Sequence, residues 1–146
     1  MTEIPQESQG KDLVDETLRQ AMLEQVEEGR LSCARAHALA EQLGIDPWLV
    51  GQAANEAGVR ISHCLLGLFG YGPKAEGRHK IVQPMDAVPE GLAARLRALA
   101  EGGAISCAAV WRVAAEFGIG RLKAASAVEA LGLRVSVCQL GCFPRR

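Results

Sequence analysis

The sequence predicts a mainly α fold: two tandem three-helix units with short β-strands, related by a pseudo-twofold axis. Three observations carry that expectation. Residues 29–69 align with residues 103–143 without a gap, at an offset of 74, and 15 of the 41 aligned positions are identical. Self-similarity at a fixed period marks one supersecondary unit used twice. Apolar residues make up 49% of the chain but aromatics only 4%. A core of Ala, Leu, Val and Ile suits close-packed helices better than a β-sandwich. Finally, Val14, Leu18, Met22 and Val26 recur every four residues, which is one face of a helix.

Each element follows in order. The Val14–Val26 face defines the first helix of the first unit. Its partner in the second unit starts near Pro89, a residue suited to a first helical turn, and carries Leu92, Leu96 and Leu99. Ser32 and Ser106 are expected N-caps of the second helices. Ala36, Leu39, Ala40 and Leu43 form the apolar face of the first of these, and Gly44 ends it. Asp46–Pro47 is a cap-and-first-turn pair for a third helix, with Leu49, Val50 and Ala53 facing inward and Gly58 closing it. Val59 and Ile61, like Leu133, Val135 and Val137, alternate over a short β-like segment. These strands are expected either to pair with each other or to form local hairpins. The Val59/Leu133 and Ile61/Val135 positions are the expected seam between the units.

These elements divide the chain into a disordered N-terminus (1–10), a first unit (11–70), a linker or wing (71–88) and a second unit (89–146). At 146 residues the chain holds one domain, or two very small ones sharing a core, which excludes a kinase or a large barrel. Charge is unevenly spread. Residues 1–73 carry a net −6 and residues 74–146 a net +5, for −1 in total. Opposed halves can pair within or between chains, and any nucleic-acid contact is expected mainly in the second half. No apolar run is long enough to cross a bilayer, and the polar, acidic start does not read as a secretory signal. With five cysteines, an odd number, a disulfide scaffold is disfavoured. The expected location is cytoplasmic, with no membrane partner.

Ala40, Gly44 and Val50, and likewise Ala114, Gly118 and Ala124, sit where helix-turn-helix regulators place a small residue, a turn glycine and an apolar residue. Residues 34–58 and 108–132 thus resemble the helix-turn-helix and winged-helix superfamily of DNA-binding proteins. The physical content of the pattern is close helix approach at Ala and left-handed turn geometry at Gly. The resemblance implies that each third helix reads a major groove. Trp48, Gln52, Asn55 and Glu56 would then be exposed in the first unit, and Arg121, Lys123, Ser126 and Glu129 in the second. Gln and Asn can read adenine, and Arg can read guanine. The candidate DNA contacts are Gln52, Asn55, Arg121, Lys123 and Ser126. Arg78 and Lys80 join them if the Lys74–Lys80 stretch is a wing rather than a solvated linker. The first unit's third helix has no positive charge and one Glu, a departure from the charge pattern phosphate attraction favours.

Four cysteines correspond between the units: Cys33 with Cys107, and Cys64 with Cys138. Cys142 adds a CxxxC spacing that the first unit lacks, since Leu68 stands in its place. Cys33 and Cys107, each followed by Ala, suit core packing. Cys138, Cys142 and Cys64 are the candidate ligands for a metal ion or an iron–sulfur cluster. Neither a Walker loop, an HExxH, a dinucleotide glycine pattern nor a Ser-His-Asp spacing occurs, so no enzyme is expected. The expected function is a DNA-binding transcriptional regulator with a cysteine-based metal or redox sensing site. A non-catalytic protein-interaction or assembly module of the same fold, engaging a protein partner or itself through the exposed Trp48, is the alternative. An iron–sulfur or metal-binding protein is the second.

Overall fold

A computed structural model describes residues 6–72 and 79–142, with side chains from residue 16 onward. Residues 1–5 of the expected disordered segment, Lys74 and Arg78 of the expected wing, and residues 143–146 lie outside the described residues, while residues 6–10 of the expected disordered segment begin the first helix. The chain is mainly helical with short strands. In order come α1 (Gln6–Gln25), β1 (Arg30–Ser32), α2 (Cys33–Leu43), α3 (Pro47–Glu56), β2 (Arg60–Ser62), α4 (Glu90–Leu99), β3 (Ala104–Ser106), α5 (Cys107–Phe117), α6 (Arg121–Ala130) and β4 (Arg134–Val137).

Local chemistry sets the helix ends. The Ser32 hydroxyl accepts from the Arg35 N–H at 3.2 Å, and Ser106 accepts from Ala109 N–H at 3.1 Å. Each thereby satisfies an orphan donor of the first turn. At the other end Gly44 (φ 65°) and Gly118 (φ 63°) adopt the left-handed conformation. The N–H groups of Ile45 and Ile119 then reach back to the carbonyls of Ala40 and Ala114, both at 3.0 Å. Asp46 accepts from Trp48 N–H at 2.9 Å, with Pro47 opening α3. In the second half Gly120 stands at the corresponding cap without a side-chain bond. A side chain on Gly118 meets nothing within 4 Å, so only the backbone resists it. Gly118→Val is expected to cost about 1 kcal/mol or more. Urea denaturation should show the loss as a lower midpoint with an unchanged slope.

The strands depart from expectation. β2 and β4 neither pair with each other nor form hairpins, and they are not the seam. Each pairs in parallel with a strand of its own half that ends in the capping serine: Leu31 opposite Ile61 and Ile105 opposite Val135. The register of β3 and β4 shifts between Ile105 and Ser106, which brings Ser106 opposite Val137. Parallel strands need a crossover connection rather than a tight hairpin, and in each half two helices supply it. Leu49 is a second departure: it is 41% exposed, while Val50 is fully buried. The inward face of α3 runs through Val50, Gly51 and Ala54 instead.

Two apolar clusters form the core, and each takes a leucine from the other half. Leu18, Met22, Leu31, Leu39 and Val50 gather around Leu140, which follows β4. Leu92, Leu96, Ile105, Val110 and Val128 gather with Leu66, which follows β2. The turns carrying these leucines sit on helices of the opposite half. A Cβ on Gly67 would lie 2.5 Å from Leu122 Cδ1 of α6, and one on Gly141 would lie 3.1 Å from the Trp48 ring of α3. The exchange of loops, rather than strand pairing, joins the halves.

Candidate functional site

The exchanged turns bring the chemistry-bearing residues together. After β2, Cys64 begins a turn closed by Gly67 N–H on the Cys64 carbonyl at 2.8 Å. After β4, Cys138 begins the matching turn, closed by Gly141 N–H at 3.0 Å. Each turn also reaches the cysteine that opens the second helix of its own half. The Leu65 N–H donates to Cys33, and Gln139 donates to Cys107 from its backbone N–H and, at 3.4 Å, from its side-chain Nε2. Burial nonetheless dominates at both. It pushes the Cys33 thiol up to about 12 and Cys107 up to about 11, so both stay protonated at neutral pH. Burial raises Cys64 as well.

Cys138 differs. It receives a hydrogen bond from the Cys142 thiol and others from the N–H groups of Cys142, Leu140 and Gly141, which together hold it below the ordinary thiol range. The Cys142 thiol moves up because it donates that bond. The structure thus hydrogen-bonds two of the three expected ligands, Cys138 and Cys142, and sets the third, buried Cys64, near enough to act on both through its charge. Among the described residues no group of three or more His, Cys, Asp or Glu side chains is placed to hold a metal ion.

The expected DNA contacts are dispersed. Gln52 is half-buried and Asn55 exposed, and both line a cleft of about 670 Å³ with His79, Gly141 and Cys142. Arg121 lies over the Trp111 ring, its guanidinium carbon 3.7 Å from the centroid. Ser126 donates its hydroxyl to the Gln83 carbonyl, and Met85 N–H donates to the Ser126 carbonyl at 3.0 Å. Lys80 pairs with Glu129 at 2.8 Å. The segment from Lys80 to Met85 therefore lies along α6 and engages Ser126 and Glu129 there. Lys123 stays exposed.

Two groupings escaped the sequence reading. His37 packs against Trp111 with the rings tilted by 45° and their centroids 4.3 Å apart. Burial, with the nearby Arg121 charge, lowers its pKa to about 4, so the imidazole is neutral at pH 7. The equivalence of positions 37 and 111 in the repeat was the available signal. The second grouping is apolar. Leu23 (46% exposed), Trp48 (38%) and Leu49 (41%) are all at the surface, and all line one groove of about 800 Å³ between α1 and α3. Trp48 was anticipated here; Leu23 was not, since it falls outside the every-fourth pattern of its helix. No helix among the described residues is long and apolar enough to cross a membrane. Comparison with protein-family models, with curated proteins and with solved structures gives no match, so function is argued from this geometry.

Proposed function

We propose that the chain is a non-catalytic protein-interaction module. In this reading it consists of two helix-turn-helix units related by a pseudo-twofold axis, and the α1–α3 groove of the first unit takes an amphipathic helix of a partner protein. The observation that carries it is the convergence of Leu23, Trp48 and Leu49 on one groove. Single exposed apolar residues are ordinary, whereas three large ones sharing a concave surface mark a contact site. Trp in particular concentrates binding energy. Glu16, Arg19 and Glu56 edge the groove, and residues 1–73 carry a net −6. The partner helix is therefore basic on its polar face. Support for the paired-unit architecture comes from the twice-used order of helix, strand, helix, helix, strand, the reciprocal placement of Leu66 and Leu140, and the His37–Trp111 contact.

The competing reading, DNA recognition, would rest on Asn55, Gln52 and Lys123, because Ser126, Lys80 and Arg121 are engaged within the chain. Calorimetric titration with a synthetic amphipathic helix of leucine and lysine separates the two. Wild-type protein is expected to bind it, and Leu49→Asp to weaken binding at least about tenfold, or about 1.4 kcal/mol. Equal affinity of the two proteins would overturn the proposal. So would retardation of mixed-sequence duplex DNA at low salt that Leu49→Asp leaves intact and Asn55→Ala or Lys123→Ala abolishes.

A further inference from the structure

The turn that carries Leu140 into the first half's core also holds two thiols in contact, a chemistry that the interaction reading neither uses nor requires. Cys138 and Cys142 flank the turn, and the Cys142 thiol donates to the Cys138 sulfur. Three N–H groups of the same turn, from Leu140, Gly141 and Cys142, point at that sulfur as well. Gly141 takes φ 77°, which folds the turn back on itself. Cys142 is exposed and Cys138 partly so, whereas Cys33, Cys64 and Cys107 are buried.

The chain supplies its own control. The first half builds the matching turn around Cys64, with N–H groups of Leu66, Gly67 and Leu68 aimed at the sulfur. The loop amides are therefore common to both. What distinguishes the second turn is the thiol at 142, where the first has Leu68, together with access to solvent. An amide-lined sulfur that is both accessible and next to a second thiol is arranged for oxidation, and its buried counterpart is not.

We infer that Cys138 and Cys142 are a redox modification site: a dithiol that a hydroperoxide converts into an intramolecular disulfide. The Cys138 thiolate attacks the terminal oxygen of the hydroperoxide. The O–O bond breaks, and the remaining oxygen leaves as an alcohol, or as water from hydrogen peroxide, after taking up the proton Cys138 gave to solvent. Cys138 is now a sulfenic acid. The Cys142 sulfur attacks the Cys138 sulfur, the S–O bond breaks, and water leaves carrying the Cys142 proton. Two thiols have lost two electrons, and one peroxide has gained them. Closing the disulfide draws these hydrogen-bonded thiols to a sulfur–sulfur bond of about 2.05 Å.

Peptide mapping by mass spectrometry tests this on the full chain treated with hydrogen peroxide. The expected product of the native protein is a disulfide linking 138 to 142, reversed by dithiothreitol, with Cys33, Cys64 and Cys107 still free. In Cys142→Ser the reaction is expected to stop at a Cys138 sulfenic acid that dimedone traps. Without peroxide, iodoacetamide should label Cys138 at least about tenfold faster than Cys64. A map in which Cys64, Cys33 or Cys107 oxidises first would overturn the inference. So would a disulfide between chains, or equal labelling of Cys138 and Cys64 in the folded wild type. The wild-type map and labelling rates decide the matter even if the serine variant folds poorly. Binding of the leucine–lysine helix is read separately, so either proposal can fail alone.

Discussion

Gly51→Ala is expected to lower stability by about 2–4 kcal/mol, although it adds one methyl group to a helix and improves its intrinsic propensity by about 1 kcal/mol. The added Cβ would lie 1.7 Å from the Leu140 carbonyl oxygen and 2.7 Å from its carbon. Both atoms are backbone, so no rotamer change relieves the clash. Either α3 moves away from its own core or the 138–142 turn lifts off α3. In the second case Leu140, 2% exposed, leaves the first half's cluster. Withdrawing a leucine from a packed core sets the upper end of the range. The corresponding position of α6 makes a sharp control. Ala125 stands there, 1% exposed, so a methyl at that position is accommodated in the second half's core. Ala125→Gly should therefore cost only about 1 kcal/mol of helix propensity plus the loss of one buried methyl. Urea denaturation of the pair measures both. Equal and small losses would show that the 138–142 turn does not rest on α3. Iodoacetamide labelling of Cys142 should also speed up in Gly51→Ala, because the turn is no longer seated.

The asymmetry between Gly51 and Ala125 illustrates what the sequence discloses. Caps and turns were legible because a few adjacent residues determine them: Ser32, Gly44, Asp46, Ser106 and Gly118 each act within a few residues of their own position. The repeat was legible from identity alone. The strands β1 and β3 were not, because three residues are too few for an alternation to register, and each strand exists through a partner about thirty residues away. The inward face of α3 was misjudged at Leu49 for a related reason. Periodicity narrows a buried stripe to neighbouring positions, and packing against α1 and α2 chooses among them. The dithiol was half legible: the spacing of Cys138 and Cys142 is plain, but only the turn shows that the Cys142 thiol bonds Cys138, while Cys64 is a buried neighbour that acts on both through its charge. The engagement of Ser126 and Lys80 was illegible, since it depends on where the segment from Lys80 to Met85 lies.

Leu140→Ala and Leu66→Ala carry the second large expectation, and its location matters more than its size. Each truncates a leucine at most 2% exposed, so each is expected to cost about 2–5 kcal/mol. An ordinary two-unit protein would feel each loss in the unit that holds the mutation. Here Leu140 lies in sequence beside β4 but packs among Leu18, Met22, Leu39 and Val50, whereas Leu66 lies beside β2 but packs among Leu92, Leu96, Val110 and Val128. Hydrogen exchange should therefore report a crossed pattern. Leu140→Ala is expected to accelerate exchange most in α1, α2 and α3, and Leu66→Ala most in α4, α5 and α6, as the cavity loosens the cluster around it. An uncrossed pattern, with Leu140→Ala acting first on α5 and α6, would show that the exchanged turns are not what joins the halves. If the pattern is crossed, neither half completes its own core, because each lacks a leucine that only the other supplies. A chain cut within 73–78 should then yield two fragments that fold together at mixing but lose cooperative unfolding apart. Cys138 and Cys142 stand two residues to either side of Leu140, so the proposed disulfide would close across that same joint.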